Sequence, residues 1–199
     1  MSRTIGGMSL KDVGKFVTGS YKKKKDVNEL NGAILDKSLS TKRSKVYVKD
    51  GKATVVHSGT DQASDWLNNP LTLVPALYRK TDRYRKAEKV QRSANKKYGR
   101  DNIDTVGHSQ SGFIVNELAK KGIVKKATVL NPAIIGRHSG KVKVVRSSGD
   151  VVSAFTKKQE GDETIQAKSY NPLTEHSAKI IGGKKYIQPH IQNQMHQFF

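Results

Sequence analysis

Residues 103–122, IDTVGHSQSGFIVNELAKKG, limit what this chain can fold into more than any other stretch. A short apolar run containing Ile103 and Val106 ends at Gly107-His108-Ser109. Phe113, Ile114, Leu118 and Ala119 then recur at helical spacing as far as Gly122, a stop signal. The pattern predicts a strand, a sharp turn and a helix. A serine at such a turn takes a strained backbone conformation, so small residues must stand on both sides where strand and helix pass closely. Gly107, Ser111 and Gly112 meet that need. The expected consequence is a Ser109 hydroxyl raised clear of the sheet edge, with the first amides of the helix directed at any oxyanion formed beside it.

This is a nucleophile-elbow pattern, G-x-S-x-G, with Ser111 in the place of the second glycine. The competing reading makes Ser109 a helix N-cap, whose hydroxyl would accept from an amide of the first turn.

Other elements follow from local patterning. Residues 45–48 alternate polar and apolar, turn at Asp50-Gly51 and resume at residues 52–56, and Asp-Gly between two such runs is a hairpin signal. Tyr84, Ala87, Val90 and Ala94 make a narrow apolar stripe on a basic helix predicted over residues 79–97 and closed by Gly99. Its basic face is expected to be solvated rather than bound to anionic head groups. Short apolar strands follow at residues 127–130, closed by Asn131-Pro132, and at residues 141–145, stopped by Ser147-Ser148-Gly149-Asp150. Strands alternating with helices predict an α/β fold, a compact, mostly parallel, doubly wound sheet whose sites gather beyond the carboxyl ends of the strands. Ser109, Thr60 and Asp150 are all expected at such ends.

A length of 199 residues suits one domain with a substantial core. Residues 1–43, glycine-dotted and basic, are expected as a partly ordered N-terminal segment, and residues 44–199 as the folded domain. Leu10, Val13, Phe16 and Val17 offer one weak amphipathic face behind a Ser9 cap, interrupted by Gly14. The run from Lys22 to Lys25 has one adjoining aromatic, Tyr21, so a solvated loop is expected there in preference to a base-stacking surface.

A net charge of +20 implies attraction to anionic surfaces such as nucleic acid, acidic lipid or acidic substrates, weakening with salt. No helix-turn-helix, RNP or zinc pattern accompanies it, so nucleic acid is a partner that charge alone suggests. The chain has no cysteine, which excludes disulfides, thiol catalysis and cysteine-based metal sites. No apolar segment approaches the ~20 residues of a membrane span. The first residues lack the apolar core of a secretory signal, so a soluble or peripheral protein is expected, in a compartment the sequence does not reveal.

Residues 55–69, VVHSGTDQASDWLNN, resemble the strand-end signature of the class 3 lipase family of α/β hydrolases, R-G-T or R-G-S followed at fixed spacing by D/N-W. Gly59, Thr60, Asp65 and Trp66 match in type and spacing. Ser58 stands where the family usually has arginine, and His57 replaces a common aromatic. With the elbow, the resemblance covers roughly residues 46–176. It implies a sheet of α/β-hydrolase type and a serine hydrolase that cleaves carboxylic esters, lipid acyl esters above all, without metal or organic cofactor. Just past a buried strand end, Thr60 can turn its N–H and hydroxyl to the cavity that Ser109 faces and, with the N–H of Gln110, supply an oxyanion hole; the resemblance gives Thr60 the same role. An ordinary turn is the alternative for Gly59-Thr60. Trp66 is expected to pack, or to stand near an acyl-binding cleft.

Asp150 follows its strand at once and precedes Val151-Val152, similar to the family's G-D-x-V segment bearing the triad acid. A carboxylate there can hold an imidazole in the tautomer that leaves its other nitrogen free as a base. The same position suits an N-cap for a short helix through Phe155. Among the later histidines, His176 lies in a turn-rich loop opening a helix and is the expected base. His190 is the alternative, and His196 is nearly terminal. His108 is expected as scaffolding beside the elbow. No histidine pair shows i, i+4 metal-ligand spacing with a carboxylate.

The reading that results is a Ser109–His176–Asp150 hydrolase acting through an acyl-enzyme, with possible peripheral contact with anionic membrane. Its rivals are a catalytically silent hydrolase fold serving as a basic binding module, and a nucleic-acid-binding protein.

Overall fold

A computed structural model describes residues 4–5, 8–23, 28–60 and 75–177 of the chain. Trp66, Asp65, His190 and His196 lie outside the described residues, as do Lys24 and Lys25. Two short strands, β1 (Thr4–Ile5) and β2 (Met8–Ser9), pair with each other and lead into helix α1 (Leu10–Ser20). The remaining strands are β3 (Glu29–Leu30), β4 (Ala33–Leu35), β5 (Ser44–Lys49), β6 (Lys52–His57), β7 (Ile103–His108), β8 (Ala127–Leu130), β9 (Val142–Ser147) and β10 (Glu163–Ile165). They form one eight-stranded sheet in the order β10-β9-β8-β7-β6-β5-β4-β3. From β6 to β10 all pairings are parallel; β3 to β6 pair antiparallel.

The local signals explain these elements. Asp50 (φ 49°) and Gly51 (φ 74°) both take positive φ, which a two-residue type I′ turn demands, and they close the β5–β6 hairpin with Lys49 opposite Lys52. Helix α2 (Pro75–Tyr78) precedes α3 (Asp82–Tyr98), which starts at a Thr81 hydroxyl that accepts from the Tyr84 amide and stops at Gly99. Helix α4 (Gln110–Lys120) is the elbow helix, and α5 (Pro172–His176) is a single turn capped by Asn171.

Both faces of the sheet are covered. Val13, Phe16 and Val17 of α1 pack against Tyr47, Val56, Val106, Leu130 and Val145. On the other face, Ala87 of α3 and Phe113, Ile114 and Leu118 of α4 join Val129 and Val144, while Val90 and Ala94 meet Val46 and Val55. Neighbours such as Val55 and Val56, or Val144 and Val145, thus serve opposite cores, as the two-residue period of a strand requires. Those valine runs are buried on both sides.

Two expectations need correction. Residues before 44 do not form an appendage, because α1 closes one core and β3 and β4 extend the common sheet. Nor is the sheet doubly wound in its strand order. The described strands follow the chain without reversal, α3 and α4 pack on one face, and α1, which precedes the parallel strands, covers the other. The α/β class and the mostly parallel sheet stand.

The parallel register brings the strand ends level: His57 lies beside Gly107, His108 beside Leu130, and Leu130 beside Val145. Thr60, Ser109, Asn131 and Asp150 therefore emerge at one edge, where α/β sheets gather their sites.

Candidate active site

Ser109 joins β7 to α4 with φ 57° and ψ −129°, a conformation that costs a side-chain-bearing residue about 1–3 kcal/mol. Neighbouring chains press close to hold it there. A Cβ on Gly59 would stand 2.8 Å from the Ser109 Cβ and 2.9 Å from the His108 carbonyl oxygen, so only glycine lets the end of β6 pass. Ser111, in the place of the usual glycine, is fully buried; its hydroxyl accepts from the His108 amide at 2.8 Å and lies 2.5 Å from the His57 carbonyl oxygen, to which it donates.

The Ser109 hydroxyl makes no capping bond to its helix. It donates instead to His176 Nε2 at 2.8 Å. The other imidazole nitrogen, Nδ1, donates to Asp150 Oδ1, also at 2.8 Å. A carboxylate only accepts, which fixes the proton on Nδ1 and leaves Nε2 as the acceptor. Asp150 fills both roles open to it: its oxygens also accept from the amides of Val152 and Ser153, each at 3.1 Å, at the 3₁₀ turn Ser153–Phe155. Burial raises the Asp150 pKa, but the hydrogen bond and charge of His176, with the Ser153 and Val152 bonds, outweigh it and leave the carboxyl below its ordinary value.

A second layer holds the imidazole loop. Asn131, at φ 41°, donates through Nδ2 to the carbonyls of Glu175 (2.7 Å) and His176 (3.2 Å), while its Oδ1 accepts from the Ser147 amide at 2.9 Å. The buried Glu175 carboxylate accepts from the Ser147 hydroxyl and from the amides of Lys168 (2.7 Å) and Ser169 (2.5 Å). His108 donates from Nε2 to the His176 carbonyl at 2.9 Å and accepts at Nδ1 from the Tyr21 hydroxyl at 2.6 Å, which itself accepts from the Gly59 amide at 2.8 Å. Burial, reinforced by the neighbouring His176, pushes His108 down to about 4, so the ring is neutral.

Of the residues singled out from sequence, Ser109, His176 and Asp150 are thus brought into one hydrogen-bonded chain. Thr60 and Gln110 line a common cavity. Gln110 opens α4, so its amide is one of the first-turn donors that have no partner within the helix. His190 lies outside the described residues. The expectation of an open hydroxyl is not met: Ser109 is 2% exposed, because the end of β6 and the His176 ring close over it. Sequence reasoning missed Tyr21 and Asn131. An asparagine directly after a buried strand, level with Ser109, could have marked Asn131; nothing near Tyr21 in sequence points to a partner 87 residues away.

Among the described residues, no group of three or more His, Asp or Glu side chains is placed to hold a metal ion. No described helix is long and apolar enough to cross a membrane. No protein-family model matches the chain, and no curated protein matches it.

Proposed function

We propose that this chain is a serine hydrolase of α/β-hydrolase type that cleaves carboxylic esters, lipid acyl esters being the class its resemblance to class 3 lipases suggests. The observation that carries this reading is the chain of bonds from Ser109 Oγ through His176 to Asp150, built on a serine whose backbone is held at positive φ. In the proposed reaction Ser109 Oγ attacks the ester carbonyl as His176 Nε2 takes its proton, and Asp150 stabilises the imidazolium that results. The amides of Gln110 and Thr60 donate to the tetrahedral oxyanion. His176 then returns the proton to the leaving alcohol. Water, deprotonated by the same nitrogen, releases the acid and restores Ser109.

One observation favours the silent binding module. Ser109 is closed off at 2% exposure, and an ester reaches it only if its surroundings open. Turnover of p-nitrophenyl esters across chain lengths separates the readings. The hydrolase reading expects hydrolysis that is lost in Ser109→Ala and His176→Ala. A folded protein that turns over none of the series supports the silent module.

A further inference from the structure

Beside the oxyanion donors lies a cavity of about 600 Å³ lined by Thr60 and Gln110 and, opposite them, by Tyr78, Arg43, Arg83 and Lys86. Its polar groups are poorly served by the protein. Among the described residues, buried side-chain atoms without a hydrogen-bond partner include Gln110 Oε1, Tyr78 Oη and Arg83 Nε, on three residues of this one lining. Gln110 is 2% and Tyr78 1% exposed, so water does not replace the missing bonds. The Tyr78 hydroxyl stands beside the Arg83 guanidinium without a bond of good geometry.

The charge balance points the same way. Arg83 spends one N–H on the Ser58 carbonyl at 2.5 Å, and no carboxylate bonds to it. Arg43 donates to the next carbonyl, that of Gly59, at 3.0 Å, which brings a second guanidinium to the same strand end. Two like charges there repel each other, and burial adds to the cost: both hold the Arg83 pKa below its ordinary value. Asp82 is the acidic residue of the lining, and it is engaged by Lys86 at 2.6 Å. A guanidinium facing another cation across a cavity is matched by an anion with several acceptor oxygens, which Arg binds in fork geometry.

We infer that this cavity receives an anionic oxygen group, carboxylate or phosphate, carried by the ester substrate within a few bonds of its scissile carbonyl. The inference rests on the hydrolase reading for the word substrate, and on the cavity alone for the anion. Because Gln110 and Thr60 belong both to this lining and to the proposed oxyanion hole, a group anchored at Arg83 positions the carbonyl next to Ser109. Binding energy from that remote group then aligns the reacting carbon.

The test separates the two claims. Thermal unfolding of the Ser109→Ala protein is followed with succinate and, in a parallel arm, inorganic phosphate; the arm with the larger rise in Tm identifies the preferred group. The rise is expected to vanish in Ser109→Ala/Arg83→Gln. Because Arg83→Gln also removes a bond to Ser58, a second comparison uses the wild-type chain alone: kcat/KM for p-nitrophenyl hemisuccinate is expected to exceed that for neutral p-nitrophenyl butyrate at least tenfold. Equal or faster turnover of the neutral ester, with no anion-induced rise in Tm, overturns the cavity assignment and leaves the hydrolase reading intact. Arg83-dependent stabilisation by anions in a protein that cleaves no ester upholds the cavity and ends the hydrolase reading.

Discussion

The Tyr21 hydroxyl, one residue past the end of α1, donates to Nδ1 of His108 at 2.6 Å, joining the first helix to the residue that precedes the elbow serine. That one bond sets the His108 tautomer. With Nδ1 accepting, Nε2 carries the proton and donates to the His176 carbonyl, so the loop bearing the imidazole is fastened to the sheet from beneath.

Tyr21→Phe removes both the donor to His108 and the acceptor of the Gly59 amide. Buried groups left unpaired cost about 1–3 kcal/mol each. Denaturant unfolding should show a loss in that range with an unchanged m-value, and kcat should fall because the loop of His176 loosens.

Asn131→Ala strips the carbonyls of Glu175 and His176 of their side-chain donor while leaving Ser109, His176 and Asp150 in the chain. A misplaced imidazole affects the proton transfer more than ground-state binding. The expected result is a ten- to hundredfold fall in kcat with KM little changed, on the usual scale for a positioned acid–base group. Steady-state kinetics on a soluble ester checks it.

Acid should unfold this protein through its buried histidines. Burial holds His108 near 4 and, opposed in part by the Gln91 bond, His57 near 4 as well, against 6.5 for an unstrained imidazole. The unfolded chain therefore takes up protons that the folded chain refuses. The stabilising contribution is complete above pH 6.5 and is lost as the pH falls towards 4, on the order of 3 kcal/mol per histidine at most. Asp150, held low, works in the same direction below its ordinary range. Unfolding free energy followed from pH 7 to pH 4 should decline steadily, and less so in His57→Gln.

The backbone strain at Ser109 makes a prediction of its own. Glycine reaches φ 57°, ψ −129° without a Cβ penalty, and alanine does not. Ser109→Gly should therefore be more stable than Ser109→Ala by about 1 kcal/mol after glycine's own entropic cost. Equal stability of the two variants would count against a strained turn.

Much of this architecture was legible because its signals are local. Asp50-Gly51 dictates its own hairpin, and Gly107 with Gly112 allows the tight passage of β7 into α4 whatever the rest of the chain does. Helix α1 was underrated because Gly14 and Gly19 lower its propensity; at Gly19 an added Cβ would strike Leu30, so the glycine records a close approach that no pattern within the helix displays. Strand β10 escaped because Glu163-Thr164-Ile165 is a short edge strand with one apolar residue. The order Ser109, Asp150, His176 could be read, since strand ends announce themselves. The closure over Ser109 could not, because it comes from Gly59 and His176, which the chain brings from 50 residues before and 67 after.

The most direct test of the central claim is covalent labelling by a fluorophosphonate probe, followed by intact-protein mass measurement at neutral pH. The account predicts one adduct on the wild-type chain, located at Ser109, slowed at least a hundredfold in His176→Ala and absent in Ser109→Ala. A correctly folded wild-type protein that takes up no probe, or one labelled equally well after Ser109→Ala, contradicts it.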